Sequence, residues 1–151
     1  MWKSFTALAA GAVLLAGCAS NEPAPATQAA APITATTAPL ASGKAGLYVY
    51  RNSFARALDN NITLDGQCLG QSKKDRYFFV ELPAGKHKVE TFALIRPQGV
   101  ELDMQAGKNY YVRHYLQLHL VAPYSSLEVV TEAEARPVIA KLQPLENGHC
   151  K

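Results

Sequence analysis

The sequence has few cysteines and little net charge, and each shortage excludes a class of protein. Three cysteines in 151 residues are too few for a small domain held together by a dense disulfide framework. The formal net charge is only +3, from fifteen basic and twelve acidic residues, so the chain has no strongly basic surface of the kind that binds nucleic acid. The length favours one domain over a multi-domain enzyme.

Motifs that mark catalytic and metal sites are also missing. The sequence contains no Gly-x-Ser-x-Gly, no Gly-x-x-x-x-Gly-Lys, no Cys-x-x-Cys and no His-x-x-x-His. His114 and His119 are five residues apart, so on a strand they would face opposite sides. Glu101 and Asp103 would share one strand face, which fits a solvated surface. We therefore predict a non-enzyme with no catalytic residue, metal or cofactor; the alternative is an envelope hydrolase whose site is assembled from scattered residues.

No apolar run is as long as the roughly 20 residues that a membrane-spanning helix needs. The longest, Phe5 to Ala16, is interrupted only by Thr6 and Gly11 and follows the basic residue Lys3. This arrangement is typical of a secretory signal, whose apolar region is about 7–15 residues long. The alternative, a buried core helix, is disfavoured by the position at the N-terminus.

The four residues Leu15-Ala16-Gly17-Cys18 resemble the lipobox of bacterial lipoproteins. The resemblance implies a signal peptide over residues 1–17, cleavage between Gly17 and Cys18, and diacylglycerol and palmitate-type acyl groups on Cys18. Ala19 stands where aspartate retains enteric lipoproteins in the inner membrane, which implies an outer-membrane lipoprotein facing the periplasm. The alternative is an ordinary signal peptide with a chance cysteine.

Residues 18–44 are predicted to form a disordered tether. Positions 19–43 hold nine alanines, four prolines, four threonines and a single charge, Glu22. Such a segment buries too little apolar surface to offset its ordering entropy, and its prolines oppose a helix. An alanine-rich helix is the alternative.

Short apolar runs separated by glycine and proline turns follow over residues 45–147. Val100 to Gln105 alternates strictly between apolar and polar residues, as a half-buried strand does. Turns recur every 8–12 residues, which predicts a mainly β fold, a small antiparallel β-sandwich. Thr131-Glu132-Ala133-Glu134 resembles a capping box and predicts a short C-terminal helix that either contains Pro137 or begins there. Ser125 and Ser126 are assigned to a loop, and residues 148–151 to a C-terminal tail.

Four segments of the domain, with their order and spacing, carry a family resemblance. They are Tyr48–Arg51, Ile62–Gly70, Tyr77–His87 and Ala106–Arg113. Together they resemble the bacterial lipoprotein family that carries domain of unknown function 2846. The short motifs within these segments, such as Leu-Pro-x-Gly-x-His, also occur in small surface domains of the PEGA type. The resemblance implies a β-sandwich and an envelope location, and it implies no reaction.

With Cys18 lipidated, Cys68 and Cys150 remain, and an oxidising periplasm favours a disulfide between them. The alternative is two separate thiols too far apart to bridge. His114 lies on the apolar face of the strand candidate Asn109–Leu120, so we expect a neutral, hydrogen-bonded core histidine.

The opposite face of that strand candidate is the candidate binding face. Aromatic and polar residues beside an arginine suit recognition of a glycan or a protein. The alternative is that the face packs against a neighbouring strand or lies under the C-terminal helix. Predicted partners are the membrane, through Cys18, and an envelope protein, peptidoglycan or lipopolysaccharide. The candidate face consists of Tyr111, Arg113, Tyr115, Gln117 and His119.

Overall fold

The structure, a computed structural model, describes residues 39–52, 59–92, 98–118 and 123–151. The predicted signal peptide, Cys18, nearly all of the predicted tether and His119 lie outside the described residues. Within the described ranges, no helix has the length and apolar character needed to cross a membrane.

Nine strands and one helix make up the described part of the chain, which confirms the predicted mainly β fold. The elements are β1 (Lys44–Arg51), β2 (Asn60–Leu64), β3 (Gln67–Ser72), β4 (Arg76–Pro83), β5 (Gly85–Thr91), β6 (Gln98–Met104), β7 (Asn109–Leu118), β8 (Pro123–Val130), α1 (Glu132–Ile139) and β9 (Gln143–Pro144).

The strands form two sheets. The five-stranded sheet has the order β8-β7-β1-β4-β9, and the four-stranded sheet has the order β3-β2-β5-β6. Most neighbours are antiparallel, as predicted, but β1 runs parallel to β7, and β4 runs parallel to β9. The two parallel pairs join strands that are distant in sequence. No hairpin turn connects them, so no local sequence signal predicts their pairing.

The core lies between the two sheets and follows the alternation of the strands. On β6, Leu102 and Met104 are buried while Glu101 and Asp103 are exposed, which confirms the period-two prediction. On β7, Val112 and Leu116 are buried on the face that was predicted to be apolar. The apolar core cluster combines Ala45, Leu47, Val49, Phe78 and Val112 of the five-stranded sheet with Ile62, Leu69, Val89, Leu102 and Met104 of the four-stranded sheet.

The prediction of a loop at Ser125 and Ser126 is wrong, because both residues belong to β8. β8 pairs with β7 over eight residue pairs, with Ser126 opposite Tyr115. Ser125 is buried and points into the core, where its hydroxyl has hydrogen-bonding partners. Those partners come from other strands, which is why the local sequence reads as a loop.

The predicted capping box begins α1. Glu134 donates its backbone N–H to the Thr131 hydroxyl at 3.3 Å, and Thr131 donates its own N–H to the Glu134 carboxylate at 3.0 Å. The helix then runs through Pro137 without starting there, since this cap fixes its first residue as Glu132. Ala135 and Ile139 face inward and are buried.

The Asp65-Gly66 turn connects β2 and β3. Both residues have positive φ, 51° and 77°, which is the requirement of a type I′ two-residue hairpin. Glycine meets this requirement without a steric cost, and aspartate is one of the few other residues that tolerate it. The turn therefore closes the hairpin and presents the Asp65 carboxylate to the neighbouring strand.

Candidate functional site

Aromatic side chains of three adjacent strands cover the outer face of the five-stranded sheet. The register places Tyr48 between Phe79 and Tyr111, and the Tyr48 ring centroid lies 4.6 Å and 5.2 Å from theirs. The next row along the strands holds Tyr50 opposite Tyr77. We call these five residues the aromatic layer.

Helix α1 covers much of the aromatic layer. Tyr111 is only 4% exposed and packs in one cluster with Ala135 and Ile139 of the helix. Burial, with the Glu132 carboxylate adding to it, raises the pKa of Tyr111 to about 12. Of the two predictions for this residue, cover by the helix is therefore the one that the structure shows. The hydroxyls of Tyr50 and Tyr77 are buried there and have no hydrogen-bonding partner among the described residues.

The neighbouring part of β7 is more open and carries two of the predicted residues. The Arg113 guanidinium donates to the Glu128 carboxylate at 2.8 Å and lies 4.4 Å above the centre of the Tyr115 ring. Glu128, which sequence reasoning missed, stands directly opposite Arg113 on β8. Gln117 stands opposite Tyr124 of β8 in the strand register, and His119 lies outside the described residues.

This arrangement of Arg113, Tyr115 and Glu128 limits what the patch can bind. The arginine charge is already balanced by a carboxylate, so the patch offers an amphipathic ring and a neutralised ion pair. Such a surface suits a polar uncharged group or a protein partner better than an anion. Exposed ion pairs of this kind contribute at most about 1 kcal/mol to stability.

His114 is a buried core residue, as predicted. Its Nδ1 lies 2.8 Å from the Ser72 hydroxyl and its Nε2 lies 2.8 Å from the Ser125 hydroxyl. Burial and the nearby positive charge of Arg51 lower the pKa of His114 to about 3, so the imidazole is neutral at neutral pH. The Ser125 hydroxyl is also 3.2 Å from that of Thr91. These residues form a polar network inside the core, because each is at most 4% exposed. The network consists of Arg51, Ser72, Thr91, His114 and Ser125.

A second histidine, His87, connects two turns of the sandwich. His87 Nδ1 lies 2.7 Å from the Asp65 carboxylate, and His87 Nε2 lies 2.9 Å from the Pro83 carbonyl oxygen. Both partners are acceptors, so the site fits the protonated ring, which can donate from both of its nitrogens. Burial acts to lower the pKa of His87, but the hydrogen bonds and the charge of Asp65 outweigh it and raise the pKa. Asp65 and His87 are thus architectural residues that hold the β2–β3 turn to the β4–β5 turn.

We expect His87→Gln to remove a pH-dependent part of the stability. Since the folded pKa is raised, the imidazolium stabilises the fold fully below about pH 6.5 and loses this effect as the pH rises through the folded value. As the pH rises through this range, the free energy of unfolding of the wild type should fall by less than about 1 kcal/mol, because Asp65 is partly exposed. Urea denaturation between about pH 6 and 9 measures this slope.

The matched control is Lys86→Gln, which neutralises an exposed neighbour of His87. This variant should keep the wild-type slope. A His87→Gln protein with an unchanged slope would show that the pKa of His87 is not raised in the folded state.

The C-terminal segment is attached to the β2–β3 hairpin. Cys68 and Cys150 form a disulfide with a Cα–Cα distance of 6.0 Å. Gly148 donates its N–H to the Leu69 carbonyl at 2.8 Å, and the Asn61 amide donates to the Lys151 carbonyl at 2.6 Å. The predicted tail 148–151 therefore packs on the sandwich.

Comparison with known proteins agrees with the resemblance in the sequence. An uncharacterized protein of Haemophilus influenzae is 34% identical over 101 residues, which cover 66% of this chain. The match spans about 60% of the length of that relative. Residues 41–125, more than half of the chain, match the family described as "Protein of unknown function (DUF2846)". Since the match extends over β1 to β7 and into β8, the chain belongs to the DUF2846 family.

Proposed function

We propose that this protein is a lipid-anchored lipoprotein of the bacterial cell envelope, whose β-sandwich is a periplasmic binding or structural module. The anchor is a lipid on Cys18, and the tether between membrane and domain ends at residue 43, because Lys44 already belongs to β1. The proposed location is the outer membrane, on its periplasmic side. Two or three acyl chains on Cys18 would hold the chain stably, whereas one chain alone binds only marginally.

The observation that carries the proposal is the disulfide between Cys68 and Cys150. Disulfides persist in oxidising compartments such as the periplasm and are rare in the cytosol. The bridge uses both cysteines of the folded domain and leaves Cys18, in its lipobox-like context, as the one cysteine that remains. The division of the three cysteines therefore fits export followed by lipidation.

A binding or structural role fits the described side chains better than hydrolysis. The pair that most resembles a nucleophile and its base is Ser125 with His114, at 2.8 Å. Both are at most 1% exposed, so a substrate would have to enter the core to reach them. Among the described residues, no group of three histidine, cysteine or acidic side chains is placed to hold a metal ion. These observations support a module that binds or supports a partner in the envelope.

We expect cells that express the chain to incorporate radiolabelled palmitate into it, and Cys18→Ala to abolish the label. The variant lacks the sulfur that receives the diacylglycerol, and acylation of the amino group at residue 18 follows that step and the cleavage after it, so neither acyl attachment should occur. When the same cells are fractionated, the wild type should be found in the membrane fraction and the Cys18→Ala protein outside it.

The double variant Cys68→Ser with Cys150→Ser is the matched control, because it removes two cysteines and leaves the lipobox intact. It should be labelled like the wild type. Label that persists in the Cys18→Ala protein would sink the proposal of a lipid anchor.

A further inference from the structure

A groove of about 580 Å³ lies where the C-terminal segment crosses the end of β3 and the start of β4. Three cationic side chains line it: Lys73, Arg76 and Lys151. Glu146 supplies a side-chain carboxylate to the same lining, and Leu145 supplies apolar surface. The volume is in the range of small-molecule sites, about 300–1,000 Å³, and exceeds that of an isolated phosphate ion.

The cations of this groove are available to a ligand. In the described part of the chain, the ammonium groups of Lys73 and Lys151 have no ion-pair partner, unlike Lys74, which pairs with Asp75 at 3.5 Å. Arg76 donates to the side-chain oxygen of Gln143, a neutral partner, so its charge is not balanced there. The groove thus differs from the patch at Arg113, where Glu128 already neutralises the arginine.

The wall formed by the C-terminal segment is held in place before any ligand arrives. Leu145 donates its N–H to the Tyr77 carbonyl at 2.8 Å, and Gly148 donates to the Leu69 carbonyl at 2.8 Å. The Cys68–Cys150 disulfide fixes the same wall covalently. A preformed site loses little conformational entropy on binding, which favours affinity for a small ligand.

We propose that this groove binds a small phosphorylated molecule of about the size of a sugar phosphate. A phosphate group accepts several charge-assisted hydrogen bonds, and an arginine with two lysines supplies their donors. Leu145 and Pro144 provide apolar surface for the body of the ligand, which a free phosphate ion would leave empty. The inference names the ligand class of the proposed binding module, and it does not depend on the lipid anchor.

The test is isothermal titration of the full-length protein with glucose 6-phosphate, and with glucose as the uncharged probe. We expect saturable binding of the phosphorylated sugar at about 50 mM salt, weakened at higher salt because the contacts are ionic, and no binding of glucose. The double variant Lys73→Gln with Lys151→Gln should weaken binding about tenfold. Glu146→Gln should instead strengthen it, about twofold, since it removes a repelling side-chain carboxylate from the lining.

Lys86→Gln with Lys108→Gln is the matched control, since it removes two exposed positive charges elsewhere on the domain. Equal weakening by this pair, no binding of glucose 6-phosphate by the wild type, or an unchanged affinity in the Lys73 and Lys151 variant would each overturn the proposal. The palmitate experiment on Cys18 reads out the anchor alone, so failure of the groove and failure of the proposed envelope role are distinguishable.

Discussion

Removal of the disulfide is expected to lower the free energy of unfolding by about 4–5 kcal/mol. Cys68 and Cys150 are 82 residues apart, and the bridge restricts the unfolded chain in proportion to the logarithm of that loop. A domain of about 100 residues loses roughly 4–8 °C of melting temperature per kcal/mol, so we expect a decrease of more than about 15 °C. The double variant Cys68→Ser with Cys150→Ser, followed by thermal and urea denaturation, measures the effect.

The same comparison contains its own control. Dithiothreitol should lower the melting temperature of the wild type to near that of the double variant and should leave the double variant unchanged. The loss of stability should affect the whole sandwich, because the segment that the disulfide holds also adds β9 to the five-stranded sheet. A wild type whose melting temperature is insensitive to the reductant would refute the stabilising role of the bridge.

Much of the fold could be predicted because single strands carry their own signal. The alternation over Val100 to Met104 identifies β6 and its buried face without any other part of the chain. The capping box at Thr131 likewise places the start of α1. β8 lacks such a signal, because Ser125 faces the core as a hydrogen-bonding partner of His114 and not as an apolar residue. Its identity as a strand depends on pairing with β7.

The candidate site was harder to predict because its surfaces are set by contacts between distant elements. Alternation places Tyr111 and Arg113 on one face of β7, yet only the packing of α1 decides that Tyr111 is buried while Arg113 stays partly open. Asp65 and His87 lie in two separate segments of the family resemblance, Ile62–Gly70 and Tyr77–His87. Their contact follows from the register that pairs Leu64 with Val89 across β2 and β5, which no local pattern specifies.

The basic groove was missed for the same reason. Lys73 and Arg76 lie beside the β3–β4 turn, whereas Lys151 belongs to the C-terminal segment. The net charge of +3 does not indicate a cationic site, because it does not depend on which charged residues the fold brings together. The disulfide ties the C-terminal segment to Cys68 on β3, the strand that leads to Lys73, so the same bond that stabilises the sandwich also shapes the groove.

The largest pH effect is expected from His114. Its pKa of about 3 in the folded state lies far below the value of about 6.5 in an unfolded chain. Above about pH 6.5 the ring is neutral in both states, and below it only the unfolded chain binds the proton until the pH approaches the folded value. The folded state therefore loses stability as the pH falls, by about 1.4 kcal/mol per pH unit and by about 4 to 5 kcal/mol at pH 3.

His114→Gln isolates this effect from the titration of the carboxylates. The glutamine amide can donate to one of the two serines, Ser72 and Ser125, and accept from the other, but it cannot take up a proton. We expect the variant to be less stable than the wild type by about 1–3 kcal/mol at pH 7, because its hydrogen bonds fit less well. At pH 4.5 this deficit should shrink or reverse by about 2–3 kcal/mol.

Urea denaturation of both proteins at the two pH values gives the double difference directly. His149→Gln, which removes an exposed histidine, is the control and should show the wild-type dependence on pH. A deficit of His114→Gln that is equal at both pH values would mean that the ring is protonated to the same extent in the folded and unfolded chains. That result would contradict a neutral histidine in the core, because burial beside the charge of Arg51 opposes a second positive charge there.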